Sequence, residues 1–289
     1  MSGIAGIIHF DGRPVEPGHV ETMTAAMHYR GPDGISHWRQ GNVAVGQCML
    51  RTTPESLEES QPVTNESASL VLVMDGRVDN WEELRRELLG KGAVLRNRGD
   101  AELVLRAYEE WGRDCLQHID GDFALVIWDS RRQEAFCARD RMGNKPFVYH
   151  WKGKTLYFAS EQQAILRQAQ VVQVLNEGMV AEYLAADWYS GTETLWQGVL
   201  RLEAAHSLSA TASGSALKRY WAPDLQARLL FRSYDECAEH YRALLFDLVR
   251  RHSRASHLVA CEVSGGLDSS AIFAVAEMLR RSGQLPAPG

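Results

Sequence analysis

Hydrophobic positions recur along the chain with two different spacings, and the spacing changes near residue 205. Before that point short apolar runs of strand length predominate, and they predict strands at residues 3–10, 43–50, 70–75, 123–129, 134–138, 147–151 and 155–159. Helical spacing predicts helices at residues 81–89, 101–111 and 178–185, with Asn80 and Asp100 at the N-cap positions of the first two. This mixture predicts an α+β domain over residues 1–205.

A stretch rich in Ser, Ala and Thr follows, and we predict a connector at residues 206–232. The second domain, residues 233–289, begins with a helix at residues 234–252. It continues with a short apolar strand at residues 258–263 and a helix that contains residues 271–279. A buried parallel strand needs cover on both faces, which one helix–strand–helix unit cannot supply. We therefore expect a truncated sequence that holds only the start of a Rossmann-like parallel α/β domain.

The most informative motif is Ser264-Gly265-Gly266-Leu267-Asp268-Ser269-Ser270, between that strand and the last helix. Glycines let the backbone approach an anion closely, and the amides at a helix start favour negative charge. The motif lacks the lysine of the phosphate loop found in kinases and GTPases. It predicts a cradle for a polyphosphate, of the type that serves enzymes cleaving ATP between its α and β phosphates. The alternative is a Ser- and Gly-rich turn that only caps an ordinary helix.

Composition argues against several other classes of function. The net charge is −6 and the pI is about 5.9, so a nucleic-acid-binding surface is not expected. No apolar stretch approaches membrane-spanning length, and no secretory signal is visible. The five cysteines are widely spaced, as is typical of reduced thiols in a cytosolic protein, and the ten histidines show no metal-ligand spacing. We expect a cytoplasmic protein without nucleic acid or membrane partners.

Short motifs in the first 161 residues point to a known family. They are Met1-Ser2-Gly3-Ile4-Ala5-Gly6-Ile7, Arg30-Gly31-Pro32-Asp33-Gly34, Gln61-Pro62, Asp120-Gly121-Asp122-Phe123-Ala124, Arg139-Asp140-Arg141-Met142-Gly143-Asn144-Lys145-Pro146 and Phe158-Ala159-Ser160-Glu161. In this order, and followed by the glycine-rich loop, they resemble the asparagine synthetase family. The resemblance implies a class II glutamine amidotransferase domain with a four-layer αββα Ntn-type fold, followed by an ATP-pyrophosphatase domain. Typical members use glutamine-derived ammonia to convert a β-aspartyl-adenylate into asparagine.

The resemblance also assigns roles within the loop. The implied ATP- and pyrophosphate-binding positions are Val263, Ser264, Gly265, Gly266, Asp268, Ser269 and Ser270. Asp268 corresponds to a ligand of Mg²⁺, a hard cation that prefers oxygen ligands and neutralises a leaving pyrophosphate. We therefore expect ATP and Mg²⁺ as cofactors.

The correspondence is poor at the glutaminase site. Ser2 occupies the position of the family's cysteine nucleophile, and a serine hydroxyl is harder to activate than a thiol. Met49 replaces an arginine that binds the substrate carboxylate. Asp75 and Arg77 replace the asparagine of the oxyanion hole and a glutamate that binds the substrate amine. The glutamine-pocket positions that remain are Gly76 and Asp100. We expect glutamine hydrolysis to be absent or vestigial.

Three functions stay open from the sequence. The first is a carbon–nitrogen ligase, an asparagine synthetase that uses free ammonia. The second is a relative that joins an activated carboxylate to an amine on its own substrate. The segment Leu50-Arg51-Thr52-Thr53-Pro54-Glu55-Ser56 resembles the lasso-peptide macrolactam cyclases of this kind. The third is a catalytically dead Ntn-type scaffold. In the first two functions, a small-molecule or peptide carboxylate reacts with ammonia or an amine as the nucleophile. The sequence also allows a homodimer.

Overall fold

The computed structural model describes residues 1–285, which form two compact units. The first unit comprises residues 1–50 and 59–222, and the second comprises residues 51–58 together with residues from 223 onward. The predicted second domain runs to residue 289, and its residues 286–289 lie outside the described part. Within residues 1–285, no helix combines the length and the apolar character needed to cross a bilayer.

Two antiparallel sheets of six strands form the centre of the first unit. In spatial order the first sheet contains β10 (Val199–Arg201), β8 (Val148–Lys152), β9 (Thr155–Ala159), β1 (Gly3–His9), β3 (Val43–Cys48) and β2 (Ile35–Gln40). The second sheet contains β12 (Gly214–Arg219), β11 (His206–Thr211), β7 (Glu134–Arg139), β6 (Gly121–Asp129), β5 (Leu70–Val78) and β4 (Val63–Thr64). The seven predicted strands are confirmed, with ends that differ by at most three residues.

Five α-helices belong to the first unit within the described residues. They are α1 (His19–Ala25), α2 (Trp81–Gly90), α3 (Asp100–Trp111), α4 (Gln162–Leu166) and α5 (Glu177–Ala185). The three predicted helices correspond to α2, α3 and α5. The sequence analysis missed α1 and α4, because each contains fewer than eight residues and shows too few apolar repeats to reveal a helical period.

Alternation of side chains along the strands produces four layers. On β5, Val71 and Val73 pack between the two sheets, whereas Leu72 packs against α2 and α3. On β1, Ile8 joins the layer between the sheets, whereas Ile7 packs against α1 and α4. A strand that is apolar on both faces must be covered on both. The resulting order of helix, sheet, sheet and helix is the predicted αββα arrangement, which is confirmed.

The predicted boundary at residue 205 differs from the structure. Residues 206–219, predicted as part of a connector, form the hairpin of β11 and β12. β11 pairs with β7, with Leu208 opposite Cys137, and both Leu208 and Ala210 are buried. The Ser- and Thr-rich composition obscured this alternation, because the intervening polar residues are typical of both a half-buried strand and a loop. The first unit therefore extends to Ala222.

Two long helices make up most of the second unit. α6 (Tyr234–His252) has the predicted bounds, and Ser233 caps it by accepting a hydrogen bond from the Glu236 amide at 3.1 Å. α7 (Leu267–Arg281) packs against α6 through a small core that contains Val249, Val275 and Leu279.

The predicted strand at residues 258–263 is not formed. The segment has no regular structure, and its side chains are exposed, with Leu258 at 77% and Val263 at 48%. A strand is stabilised by backbone hydrogen bonds to neighbouring strands. Within residues 1–285 no strand lies beside this segment. Its apolar composition alone therefore does not make it a strand.

Candidate functional site

The Ser2 side chain lies at the start of β1, beside the end of β3. Its Oγ accepts a hydrogen bond from the Leu50 amide at 3.0 Å and donates one to the Leu50 carbonyl at 3.3 Å. The residue is buried, with 8% of its surface exposed. The hydroxyl at the predicted nucleophile position is therefore both a donor to and an acceptor from the Leu50 backbone.

Arg30 connects this position to its surroundings. Its Nη1 donates to the Ser2 carbonyl at 3.1 Å, and its Nε forms an ion pair with Glu161 Oε1 at 2.5 Å. The same guanidinium lies 3.9 Å from Oδ2 of Asp75 on β5. Ionised partners make these contacts stronger than neutral hydrogen bonds. Arg30 thus links Ser2 to Asp75, which lies 73 positions further along the chain.

Asp75 is a buried carboxylate with positive charges close by. Lys145 Nζ lies 3.5 Å from its Oδ1. Within residues 1–285, its Oδ2 accepts no hydrogen bond. Burial raises the pKa of Asp75, and the charges of Lys145, Arg30 and the chain's amino terminus oppose that effect without cancelling it. Burial likewise lowers the pKa of the terminal amine. The structure therefore places a carboxylate at the position that the resemblance assigns to the asparagine of an oxyanion hole.

The loop after β7 positions Lys145. The Asp140 carboxylate accepts hydrogen bonds from the amides of Met142, Asn144 and Lys145 at 3.1, 2.9 and 2.9 Å. The Arg139 guanidinium donates to three backbone carbonyls, those of Lys145, Gly143 and Leu202, at 2.7, 2.5 and 2.8 Å. The Arg-Asp motif that the sequence singles out is therefore a loop brace. It holds the lysine ammonium beside Asp75.

The other glutamine-pocket positions lie on or near β5. Gly76 pairs with Phe123 of β6, and a Cβ added to it would meet the Asp122 carbonyl oxygen at 2.5 Å. A glycine is needed there for strand packing, whatever the ligand. Arg77 Nε forms an ion pair with Asp79 Oδ1 at 2.7 Å, so this arginine has a partner of its own. Met49 is buried and provides no charge at the position of the expected arginine.

Asp100 lies at the start of α3 and not at its N-cap, which is Gly99. Its Oδ2 accepts a hydrogen bond from the Val78 amide at 3.0 Å, which ties α3 to the end of β5. Glu59 lies nearby, and its Oε2 accepts from the Ala101 amide at 3.2 Å. Burial and the charge of Asp100 raise the pKa of Glu59. The sequence analysis missed Glu59, because a single acidic residue in a polar segment gives no signal.

The predicted phosphate loop lies in the second unit and is exposed. Gly265 adopts φ of 84°, a left-handed conformation that favours glycine. The Ser264 and Ser269 hydroxyls lie 3.0 Å apart, and the Ser264 amide donates to Ser269 Oγ at 3.2 Å. α7 follows directly, and its N-cap Gly266 offers no side chain to the first amides. These amides therefore face open space, as an anion-binding loop requires.

The structure therefore connects Ser2, Arg30, Asp75 and Lys145 through consecutive contacts, and it holds Asp100 at Val78, the last residue of β5. It places Val263 and Ser270 at the two ends of the loop, with Asp268 exposed in the first turn of α7. Among residues 1–285, no three His, Cys, Asp or Glu side chains cluster closely enough to bind a metal by themselves.

The chain matches two family models. Residues 1–221 match the glutamine amidotransferase domain, and residues 240–286 match asparagine synthase. Glutamine-hydrolyzing asparagine synthetase 3 of Bacillus subtilis (strain 168) is 32% identical over 280 residues, which are 96% of this chain and 45% of that protein. Putative glutamine-hydrolyzing asparagine synthetase 2 of Methanocaldococcus jannaschii is 28% identical over 95% of this chain and 56% of that protein. The chain thus spans about half the length of these relatives.

Solved structures agree on the fold. Glutamine phosphoribosylpyrophosphate amidotransferase from B. subtilis, in complex with ADP and GMP, superposes with a TM-score of 0.55 at 15% identity. This superposition covers 99% of this chain and 65% of that one. A structure described as the allosteric regulatory enzyme of purine biosynthesis gives the same TM-score at 16% identity, over 76% of this chain and 49% of that one. At such identities the likeness concerns the Ntn-type fold alone. From both family matches and from its relatives, the chain belongs to the asparagine synthetase family.

Proposed function

We propose that the protein is part of an ATP-dependent carbon–nitrogen ligase. It activates a carboxylate as its adenylate with release of pyrophosphate, and ammonia or an amine then attacks the acyl carbon and displaces AMP. The observation that carries this proposal is the loop at residues 264–270, in which a left-handed Gly265 leads into the open N-terminus of a 15-residue helix. The names of the relatives support the same reaction class.

The loop residues have distinct roles in this proposal. The Ser264 and Ser269 hydroxyls, together with the first amides of α7, would bind the pyrophosphate oxygens. Nothing lies within 4 Å of a Cβ built at Gly265, so an anion has room to approach the backbone. Asp268 would hold Mg²⁺, which supplies charge neutralisation of the pyrophosphate when it is bound.

Substitution of Asp268 tests the loop. We expect Asp268→Ala to weaken binding of Mg²⁺–ATP by about tenfold or more, because a cation bridging carboxylate and phosphates is lost. Asp235→Ala is the matched control, since Asp235 is also an acidic residue in the first turn of a helix of the second unit. Isothermal titration with and without Mg²⁺ measures both. Equal affinity in wild type and Asp268→Ala would contradict the proposed role.

We further propose that the glutaminase half is silent. The Ser2 hydroxyl is already hydrogen-bonded to the Leu50 backbone in both directions, so release from these bonds must precede any attack. The Asp75 carboxylate would repel the negative charge that develops on a tetrahedral intermediate. Met49 cannot bind a carboxylate, and the loss of such a charged contact costs about 2 kcal/mol.

Glutamate release from glutamine tests this second part. The wild-type chain should show no turnover above a blank. The quadruple variant Ser2→Cys, Met49→Arg, Asp75→Asn and Arg77→Glu restores the family's residues, and we expect it to regain measurable hydrolysis. The same variant with Ser2 left unchanged is the control for the nucleophile. Robust turnover of glutamine by the wild-type protein would refute the proposal that its glutaminase half is inactive.

The acceptor is tested by ATP–pyrophosphate exchange with the complete polypeptide. Stimulation by aspartate supports an ammonia-using asparagine synthetase. Stimulation only by a peptide supports a macrolactam cyclase, which the segment at residues 50–56 resembles. No exchange with any carboxylate, despite a folded protein, would overturn the ligase proposal in favour of a scaffold.

A further inference from the structure

A cavity of about 470 Å³ opens in the first unit, between the start of β8, the start of α4 and the strand β10. The charged residues that line it are Arg30, Arg139, Arg201 and Glu161. Arg30, Arg139 and Glu161 belong to three separate motifs of the sequence and Arg201 to none, and their spread over 172 positions gave no sign that they line one cavity. The volume is that of a site for a small organic molecule.

The charges of the cavity do not balance. Arg30 is paired with Glu161 at 2.5 Å, which leaves Arg139 and Arg201. Arg139 gives its hydrogen bonds to three neutral backbone carbonyls. Within residues 1–285, Arg201 forms no side-chain hydrogen bond or ion pair, although it lines the same wall. The cavity therefore carries two more positive than negative side chains.

These two cations act on each other. Burial lowers the pKa of Arg139, and the positive charge of Arg201 lowers it further, while Asp140 opposes both. Like charges in a partly buried wall destabilise one another, and an anion placed between them would remove that cost.

Backbone contacts hold the Arg139 guanidinium and the backbone of Arg201 in place. Leu202, next to Arg201, accepts the Nη1 hydrogen bond of Arg139 at 2.8 Å. Arg201 itself pairs with Val148 across β10 and β8. The fixed guanidinium of Arg139 loses little side-chain freedom on binding, and the planar guanidinium groups of both arginines suit the oxygens of a carboxylate or phosphate.

The rest of the wall combines polar and apolar residues. Its polar residues are Ser160, Gln162 and Gln163, and its apolar part includes Pro146, Trp196 and the buried Phe147. We propose that this cavity binds a small organic anion, with its carboxylate or phosphate between Arg139 and Arg201 and its apolar part against Trp196. The site shares no residue with the loop at residues 264–270 and does not depend on the ligase proposal.

Titration calorimetry with the whole chain tests the site, using benzoate, phenyl phosphate and inorganic phosphate as probes. We expect phenyl phosphate or benzoate to bind, and Arg201→Gln to weaken that binding by about tenfold or more, because a charge-assisted contact is lost. Within the described residues, the Arg201 side chain forms no hydrogen bond or ion pair, so this variant should remain folded. Arg86→Gln, at an exposed position on α2, is the matched control and should bind like wild type.

A stability measurement adds a second readout. In buffer without oxyanions and at low salt, Arg201→Gln should melt at a higher temperature than wild type, since the repulsion with Arg139 is gone. Addition of phenyl phosphate or benzoate should raise the melting midpoint of the wild type and not that of the variant.

The titrations also identify the anion. Tighter binding of phenyl phosphate than of benzoate would identify it as a phosphate, and tighter binding of benzoate would identify it as a carboxylate. No binding by either, or equal binding by wild type and Arg201→Gln, would overturn the proposal. Equal affinity for inorganic phosphate would overturn the apolar part of it.

Discussion

Substitution of Gly76 by alanine separates a structural role of this residue from a role in binding glutamine. Gly76 lies in β5 of the second sheet, opposite Phe123 of β6. A Cβ at this position would lie 2.5 Å from the Asp122 carbonyl oxygen and 2.7 Å from the Phe123 Cα. Ordinary contacts begin at 3.4 Å, so the strands would have to separate by several tenths of an ångström. The atoms met are backbone and cannot rotate away.

Overpacking of this kind costs about 1–3 kcal/mol, offset by about 0.4–1 kcal/mol from the stiffer unfolded chain. We expect a net loss of about 1–2 kcal/mol for Gly76→Ala, which lowers the melting temperature of a unit of this size by about 2–8 °C. Differential scanning calorimetry of the whole chain measures it. Gly90→Ala is the control, because Gly90 ends α2 with nothing within 4 Å of its Cβ and should gain stability.

A midpoint for Gly76→Ala within 1 °C of wild type would refute this reasoning, as would an equal loss for Gly90→Ala. A clear loss in a protein without glutaminase activity would show that the sheet, and not the substrate, requires glycine at position 76.

Two further predictions concern buried charges. Because burial raises the pKa of Asp75 above its unfolded value, the ionised carboxylate destabilises the fold at neutral pH, and this cost vanishes as the pH falls below the ordinary aspartate pKa of about 3.9. Asp75→Asn should therefore raise the free energy of unfolding at pH 7, and raise it less as the pH approaches 4. Urea unfolding at several pH values measures this difference, and a gain that does not change with pH would contradict the prediction. Arg106 pairs with the fully buried Glu102 at 2.8 Å, so Arg106→Met should lower the free energy of unfolding by about 3 kcal/mol. Arg85→Met on the neighbouring helix is the comparison, and a loss of the same size there would argue against a special role for the buried pair.

Tertiary structure alone decided the composition of the site in the first unit. Asp75 and Lys145 are 70 positions apart, and Arg30 comes from a third segment. Each motif could be recognised by itself, but the contact between Asp75 and Lys145 depends on the brace that Asp140 builds in its own loop. The sequence therefore predicted a carboxylate in place of the family's asparagine at position 75, but not the cations beside it.

What the sequence determined by itself was local. The apolar runs and their spacing predicted strand and helix positions, and the motif at residues 264–270 predicted the glycine-rich loop. The αββα layers were implied by the family resemblance. Pairing is not local. The Ser-rich β11 is a strand because its backbone pairs with β7. The segment at residues 258–263 is more apolar but forms no strand, because within residues 1–285 no neighbouring strand bonds to its backbone. The same holds for the cavity of Arg139 and Arg201, whose unbalanced charge arises only when the chain brings β7 and β10 to one place.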